Sequence, residues 1–249
     1  LRLFFLHADT LIFVRYKATT GLIVSGSTAL SFFTRVAYGG DLDTYCQLSQ
    51  AKIVGQWYES RGFIFAPTDK QDVLFHTDYE RATFKAATTA ANVITEVDDD
   101  IREYRLNNIE SVWNFIRDKH RVQLIATRGS PLETILSFHS TCVMNILTHR
   151  AAYCLFPQLT LEEKTTLLID LVSPLTEIQM AAVRKYALRG FTILHQAPTA
   201  MACNANSALT FLRPRRVGDK HCFKINFDHL GKGAPKPDYI EANTWGLAY

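Results

Sequence analysis

The chain has 249 residues, 47% hydrophobic and 20% charged, with a formal net charge of +3. This is the make-up of an ordinary globular protein, long enough for one large domain or a core with an appended subdomain, and no apolar run is long enough to span a bilayer. The mild basic excess permits a polyanionic partner without requiring one, because such binding rests on clustered rather than total charge.

In chain order, residues 3–19 predict a first helix; their sequence LRLFFLHADTLIFVRY, counted from residue 1, is broken by His7, Asp9 and Arg15 and does not read as a secretion signal. Without an initiating Met, the chain reads as a piece of a longer or processed one. Leu22-Ile23-Val24 predicts a short strand ended by Ser25-Gly26-Ser27. Helical spacing then runs from Thr28 to Val36, with Ala29, Leu30, Phe33 and Val36 on its buried side. Gly39-Gly40 breaks that helix, and Asp41 to Cys46 reads as a strand with alternating faces. LSQAKIVGQWYES, 48–60, predicts a helix stopped by Arg61-Gly62. Residues 78–105 read either as a long helix or as a partly mobile insertion. SVWNFIRDKHRVQLIATR predicts an antiparallel hairpin turning at Arg117–His120.

Pro131 and Glu133 open a helix expected to run through LETILSFHSTCVMNILTH. From Leu161 to Gly190 the pattern is helical again, interrupted by Ser173-Pro174, and Thr160 with Glu163 fits a capping box. HCFKINF is a strand candidate, and GKGAPKP after it a loop. The order predicts an α+β fold: a small mixed β-sheet flanked by helices within a core of residues 1–150, and a C-terminal helical and β extension, 151–249. The five cysteines Cys46, Cys142, Cys154, Cys203 and Cys222 are odd in number and show no CxxC pairing. Free thiols in a reducing compartment follow, hence an intracellular location, cytoplasmic or nuclear.

The chemistry concentrates in GLIVSGSTALSFFTRVAYGGDLDTYC. A Gly-Ser turn between strand and helix lets backbone approach a ligand, since Gly26 has no Cβ. The first amides of the helix are unpaired and suit a phosphate, and the Ser27 hydroxyl adds a donor. Asp41 and Asp43, two apart on a strand, project to one face, where paired carboxylates call for a cation. Hard oxygen ligands beside substrate phosphates favour Mg²⁺ or Mn²⁺.

This combination resembles the signature of the DNA polymerase β-type nucleotidyltransferase superfamily: apolar strand, Gly-Gly or Gly-Ser, helix, Asp-x-Asp. A wider likeness to fungal proteins of that fold is carried by SGSTAL, DLDTY, VQLIAT, FHSTCVMN at 138–145, RKYALRGF at 184–191 and RRVGD at 215–219. The resemblance implies a nucleotidyltransferase fold in which Gly26 and Ser27 hold an NTP and Asp41 and Asp43 bind two divalent ions. It implies transfer of a nucleoside monophosphate to a hydroxyl acceptor, nucleic acid among the candidates, with release of pyrophosphate. The superfamily supplies a third carboxylate from a neighbouring strand; here VQLIAT offers Gln123, uncharged and a poor base.

That departure leaves three readings open: an active transferase, a degenerate protein that binds nucleotide or nucleic acid, and a structural interaction domain. Asp98, Asp99 and Asp100, or Glu110 or Asp118, are alternative third acids, and His139 an alternative base. His139 also shares a helical face with Cys142, and His149 falls near the same side, which is the spacing of a metal set weakly matched. Lys185 and Arg189, four apart, make a basic spot suited to triphosphate or nucleic acid, with Arg184 beside it. Arg213, Arg215 and Arg216 near Phe211 form a second basic cluster of the kind that binds single strands.

Overall fold

The computed structural model describes residues 4–5, 7–91, 108–169, 177–227 and 237–247. It is a mixed α+β protein in which a multistrand sheet is flanked by helices. The chain divides into two compact units, Leu1–Thr28 with Gly39–Thr134, and Ala29–Tyr38 with Ile135–Tyr249.

The first unit holds α1 (His7–Thr20), β1 (Ile23–Ser25), the first residues of α2 (Gly26–Thr34), β2 (Leu42–Gln47), α3 (Leu48–Ser60), β3 (Ile64–Phe65), α4 (Phe75–Ala91), β4 (Ile109–Arg117) and β5 (His120–Thr127). Its strands lie in the order β1-β2-β5-β4-β3. Only β2 and β5 run parallel, so the sheet is mixed as expected. The hairpin turns at Asp118-Lys119, where Asp118 adopts φ 53°.

Alternation gives the sheet two distinct faces. Leu42, Thr44 and Cys46 on β2, Val122, Leu124 and Ala126 on β5, and Trp113 and Phe115 on β4 are all buried. Helix α3 packs on this face through Tyr58, whose ring meets Phe115 at 5.4 Å and whose hydroxyl donates to Thr44 Oγ1 at 3.0 Å. Gly55 lets α4 come close: a Cβ there would stand 2.2 Å from the Phe75 ring. The opposite face carries Asp43, Gln123, Asn114, Arg121 and Ile116, all half-buried or exposed.

In the second unit β6 (Asn145–Leu147), β7 (Ala151–Cys154) and β11 (Phe223–Asn226) form an antiparallel set in the order β11-β7-β6. A parallel pair, β8 (Thr165–Leu167) and β9 (Thr192–Leu194), flanks helix α6 (Glu177–Leu188) in sequence. The remaining pieces are α5 (Pro131–Leu136), which begins in the first unit's segment, α7 (Thr199–Ala202), and the paired strands β10 (Arg215–Arg216) and β12 (Thr244–Trp245).

Three expectations are corrected. The helix expected from 132 to 149 stops at Leu136, and a 3₁₀ turn (Thr141–Val143) and β6 follow. Hydroxyls there take backbone partners that a helix would supply: Thr141 Oγ1 accepts from Leu167 N–H at 3.0 Å, and Cys142 N–H donates to Thr166 Oγ1 at 3.1 Å. LEEKTTLL is not helical: a π-helical turn (Gln158–Glu162) ends before Lys164 at φ 47°, and β8 follows. Thr160 therefore lies inside that turn and forms no capping box, while Glu163 accepts from Gln158 Nε2 at 2.9 Å. Helix α2 ends at Thr34 because Arg35 turns left-handed at φ 58°, which leaves Val36 outside it and exposed. Of the segment 78–105, α4 accounts for the part up to Ala91; the rest, with Asp98–Asp100, and the Gly231-Lys-Gly233 loop lie outside the described residues.

Asp78 fixes the first unit's far end. Its carboxylate is buried and accepts from Trp113 Nε1 at 2.7 Å and Asp72 N–H at 2.9 Å, with Arg81 paired to it. Asp78→Ala leaves the Trp113 indole N–H buried without an acceptor, and we expect a loss of about 3 kcal/mol in urea unfolding. Glu80→Ala, on the exposed side of the same helix, is expected to stay within about 0.5 kcal/mol of the parent.

Candidate functional site

The register of the first unit's sheet assembles the site. Ser25 pairs with Asp43, Asp43 with Gln123, and Gln123 with Asn114, so four polar residues form one row across four strands. Where β1 ends, Gly26 turns at φ +66° and opens α2. The Asp43 carboxylate fills the space left by the missing side chain: a Cβ on Gly26 would lie 2.0 Å from Asp43 Oδ2. The Ser27 hydroxyl reaches the Gly39 carbonyl at 3.4 Å, and Thr28 Oγ1 donates to the Asp41 carbonyl at 3.2 Å. Gly39 and Gly40, at φ +66° and +108°, carry the chain back over the turn. The Gly-Ser bend and the Asp-Leu-Asp strand are thus one structure.

Asp41 precedes β2, and its Oδ2 accepts from Arg121 Nη2 at 2.5 Å. The parallel pairing of Leu42 with Val122 brings residue 121 alongside residue 41. Hydrogen bonding to Asp41 is the main cause that raises the Arg121 pKa, and the charges of Asp41 and Asp43 both add to it. Sequence reasoning missed Arg121. The signal was the two-residue spacing of Arg121 and Gln123 on one strand, legible once β5 is paired with β2.

Gln123 occupies the position next to Asp43 where a third carboxylate was sought, and its Nε2 donates to Asn114 Oδ1 at 2.9 Å. The alternative acids take other roles. Glu110 pairs with Arg128, and Asp118 forms the hairpin tip. Among the described residues no three His, Cys, Asp or Glu side chains gather closely enough to hold a metal ion. Asp41 and Asp43 alone offer the hard oxygens that suit Mg²⁺ or Mn²⁺, and Arg121 already compensates one of them.

The other candidates belong to the second unit. His139 lies in a bend after α5, not on a helix with Cys142 and His149, so that metal set is not formed as expected. Burial lowers the His139 pKa and favours the neutral ring. Burial likewise pushes the Cys142 thiol up to about 11, which makes it inert near neutrality. Arg189 is sandwiched by Tyr38 and Tyr186, its guanidinium 4.9 and 5.1 Å from their ring centres, and donates to the Tyr38 carbonyl at 3.3 Å. Lys185 and Arg184 are exposed on the same helix.

The RRVGD cluster is corrected in part. Arg215 is buried over the Phe156 and Trp245 rings and donates to Asp219, to the Ala208 and Leu155 carbonyls and to Cys222 Sγ. It is an internal tie, and only Arg213 and Arg216 remain on the surface. No helix of the described residues is long and apolar enough to cross a membrane. No protein-family model, curated protein or solved structure matches the chain.

Two predictions follow from this geometry. Gly39→Ala meets nothing within 4 Å and is expected to cost only its left-handed backbone, about 1 kcal/mol. Gly26→Ala carries the same φ and also the overlap with Asp43, so guanidinium unfolding should show a further loss of roughly 1–3 kcal/mol. Removing the carboxylate as well, in Gly26→Ala with Asp43→Ala, should recover that increment.

The second concerns acid stability. Burial would raise the Asp219 pKa, but the Arg215 hydrogen bond and charge, with the Arg216 and His221 amides, outweigh it and bring it from 3.8 to about 2. A depressed folded-state pKa contributes stability above the unfolded value, lost as pH falls from near 4 through 2. The stability gap between the parent and Asp219→Asn should therefore narrow by about 2 kcal/mol between pH 6 and pH 2 in urea titrations.

Proposed function

We propose that the row Ser25–Asp43–Gln123 and the Gly26-Ser27 turn form a nucleotide site of the nucleotidyltransferase type, in a fold of that class. Its activity is transfer of a nucleoside monophosphate from an NTP to a hydroxyl acceptor, nucleic-acid ends being the first class to test, with release of pyrophosphate. The observation that carries this reading is the seating of the Asp43 carboxylate directly against Gly26. Backbone amides at a helix start and a carboxylate for a divalent ion then lie side by side.

In this reading the amides after Gly26 and the Ser27 hydroxyl hold the triphosphate, and Asp41 and Asp43 hold Mg²⁺ or Mn²⁺. When bound, the divalent ion neutralises charge developing on the phosphates. Asp43 is carried by β2 and Asp41, just before that strand, is held by Arg121, which supports a site organised before ligand arrives.

A second reading, nucleotide binding without transfer, is favoured by Gln123, whose amide is tied to Asn114 and cannot act as a base. One experiment separates them. Purified protein with labelled NTPs and Mg²⁺ is expected to label a hydroxyl acceptor, and Asp43→Asn to abolish it. NTP with Mg²⁺ at a hundredfold its dissociation constant should stabilise the fold by about 2.7 kcal/mol. Stabilisation without label transfer would leave the second reading standing; neither would remove both.

A further inference from the structure

In the second unit, β11 pairs with β7 on one side and stands last in the strand order. Phe227 N–H donates to the Arg150 carbonyl at 2.8 Å, which carries that ladder one residue past the strand. Inward-facing groups recur at every second residue of an antiparallel pair, so Phe223 and Ile225 also face β7. The N–H and C=O groups of Lys224 and Asn226 therefore point outward, and among the described residues they meet no partner. Proteins guard such an edge with proline, a bulge or a free lysine. β11 contains no proline, and its register with β7 is unbroken. Its one lysine is not free either: Lys224 Nζ is paired with Glu241 at 2.6 Å and lies over the Tyr153 ring.

The sequence of the edge fits itself. Phe223-Lys224-Ile225-Asn226-Phe227 alternates apolar and polar residues symmetrically about Ile225. Laid antiparallel on a second copy and centred there, Ile225 meets the partner's Ile225, and Phe223 meets the partner's Phe227. Lys224 meets the partner's Asn226, and these are the residues whose backbone groups point outward. Each such pair can exchange both of its hydrogen bonds, and no like charges stand opposed. The apolar face of the strand continues onto α2, where Phe33 lies 5.9 Å from Phe223 and Phe32 lies 5.9 Å from Phe227, ring centre to ring centre. Phe223 is 45% exposed, and Phe32, Phe33 and Ile225 are half-buried, so a second copy would take apolar surface out of water as well. We propose that the chain forms a homodimer through β11, with one antiparallel sheet running across a two-fold axis at Ile225.

The test measures mass by sedimentation equilibrium and amide exchange by nuclear magnetic resonance. The parent protein is expected to show twice the chain mass, with the Lys224 and Asn226 amides protected until dilution separates the copies. Ile225→Lys and Ile225→Glu each set like charges face to face and should each weaken dimerisation about a hundredfold. Mixing the two variants should restore a one-to-one dimer, an outcome specific to the register centred on Ile225. Asn226→Pro removes an outward donor and leaves the β7 ladder untouched, so it should give a monomer with unchanged circular dichroism. A monomeric parent overturns the proposal: freely exchanging amides would mean an edge kept for a different partner, and protected ones an edge covered by its own chain. A dimer that Asn226→Pro leaves intact overturns it as well, as does failure of the folded Lys and Glu variants to pair with each other. The nucleotide reading stands or falls separately.

Discussion

The absence of a side chain at Gly26 is the constraint on which the site depends. The register of β1 against β2 sets Ser25 opposite Asp43, so the carboxylate points at whatever residue follows the strand. Only a residue without Cβ leaves room for Asp43 Oδ2, and only glycine accepts φ +66° there without strain. The return of the chain through Gly39 and Gly40, tied by Ser27 and Thr28 to the backbone at 39 and 41, closes the other side. One missing methyl group thus sets the carboxylate, the helix start and the returning loop at once.

The sheet that positions these groups does two kinds of work through simple alternation. Its Thr44 side is closed: the Thr44 hydroxyl donates to the Gln123 carbonyl and accepts from Tyr58, amid aromatic rings. Its Asp43 side is buried at Tyr45 and Ile125 but partly open at Asp43, Gln123 and Arg121, and there the charges are balanced by side chains rather than left as a bare carboxylate pair. Asp41 leans on Arg121, and Gln123 spends its amide on Asn114. A carboxylate pair without such compensation would repel itself. Electrostatics on this face is therefore set by cross-strand neighbours, of which Asp41 and Arg121 stand eighty positions apart in the chain.

That separation explains what the sequence could and could not disclose. Helix α3, the hairpin of β4 and β5, and the Gly-Ser and Asp-Leu-Asp pieces were legible because each is written within a short window: a periodic apolar stripe, a polar turn between β-branched runs, a glycine before a helix. Arg121 was not, since its meaning comes from the parallel pairing of β2 with β5, and no local pattern announces which strands will pair. The failure at 132–149 has a different cause. The apolar spacing there is compatible with a helix, yet Thr141 and Thr166 bind backbone groups across 24 to 26 residues and hold the chain in a turn and a strand. The run after Glu163 fails because Lys164 adopts a left-handed conformation that no propensity scale assigns to lysine.

The segments that look most distinctive in the sequence are those whose polar atoms the fold itself consumes. In FHSTCVMN, Thr141 accepts from the backbone of β8, Cys142 is buried, and Asn145 donates to the Cys142 carbonyl at 2.7 Å. In RKYALRGF, Arg189 is held between two tyrosines, and in RRVGD the first cluster arginine to be buried, Arg215, is spent on Asp219 and three other acceptors. Unusual residues in an unusual order mark places where a buried backbone needs particular partners, and such need is as specific as chemistry. Arg121, on an open strand, is plainer: it pairs with Asp41 and half of its side chain is open to solvent. On the first unit's sheet the charged groups that converge are Asp41, Asp43 and Arg121 beside Gly26, brought together by strand register rather than by any local pattern.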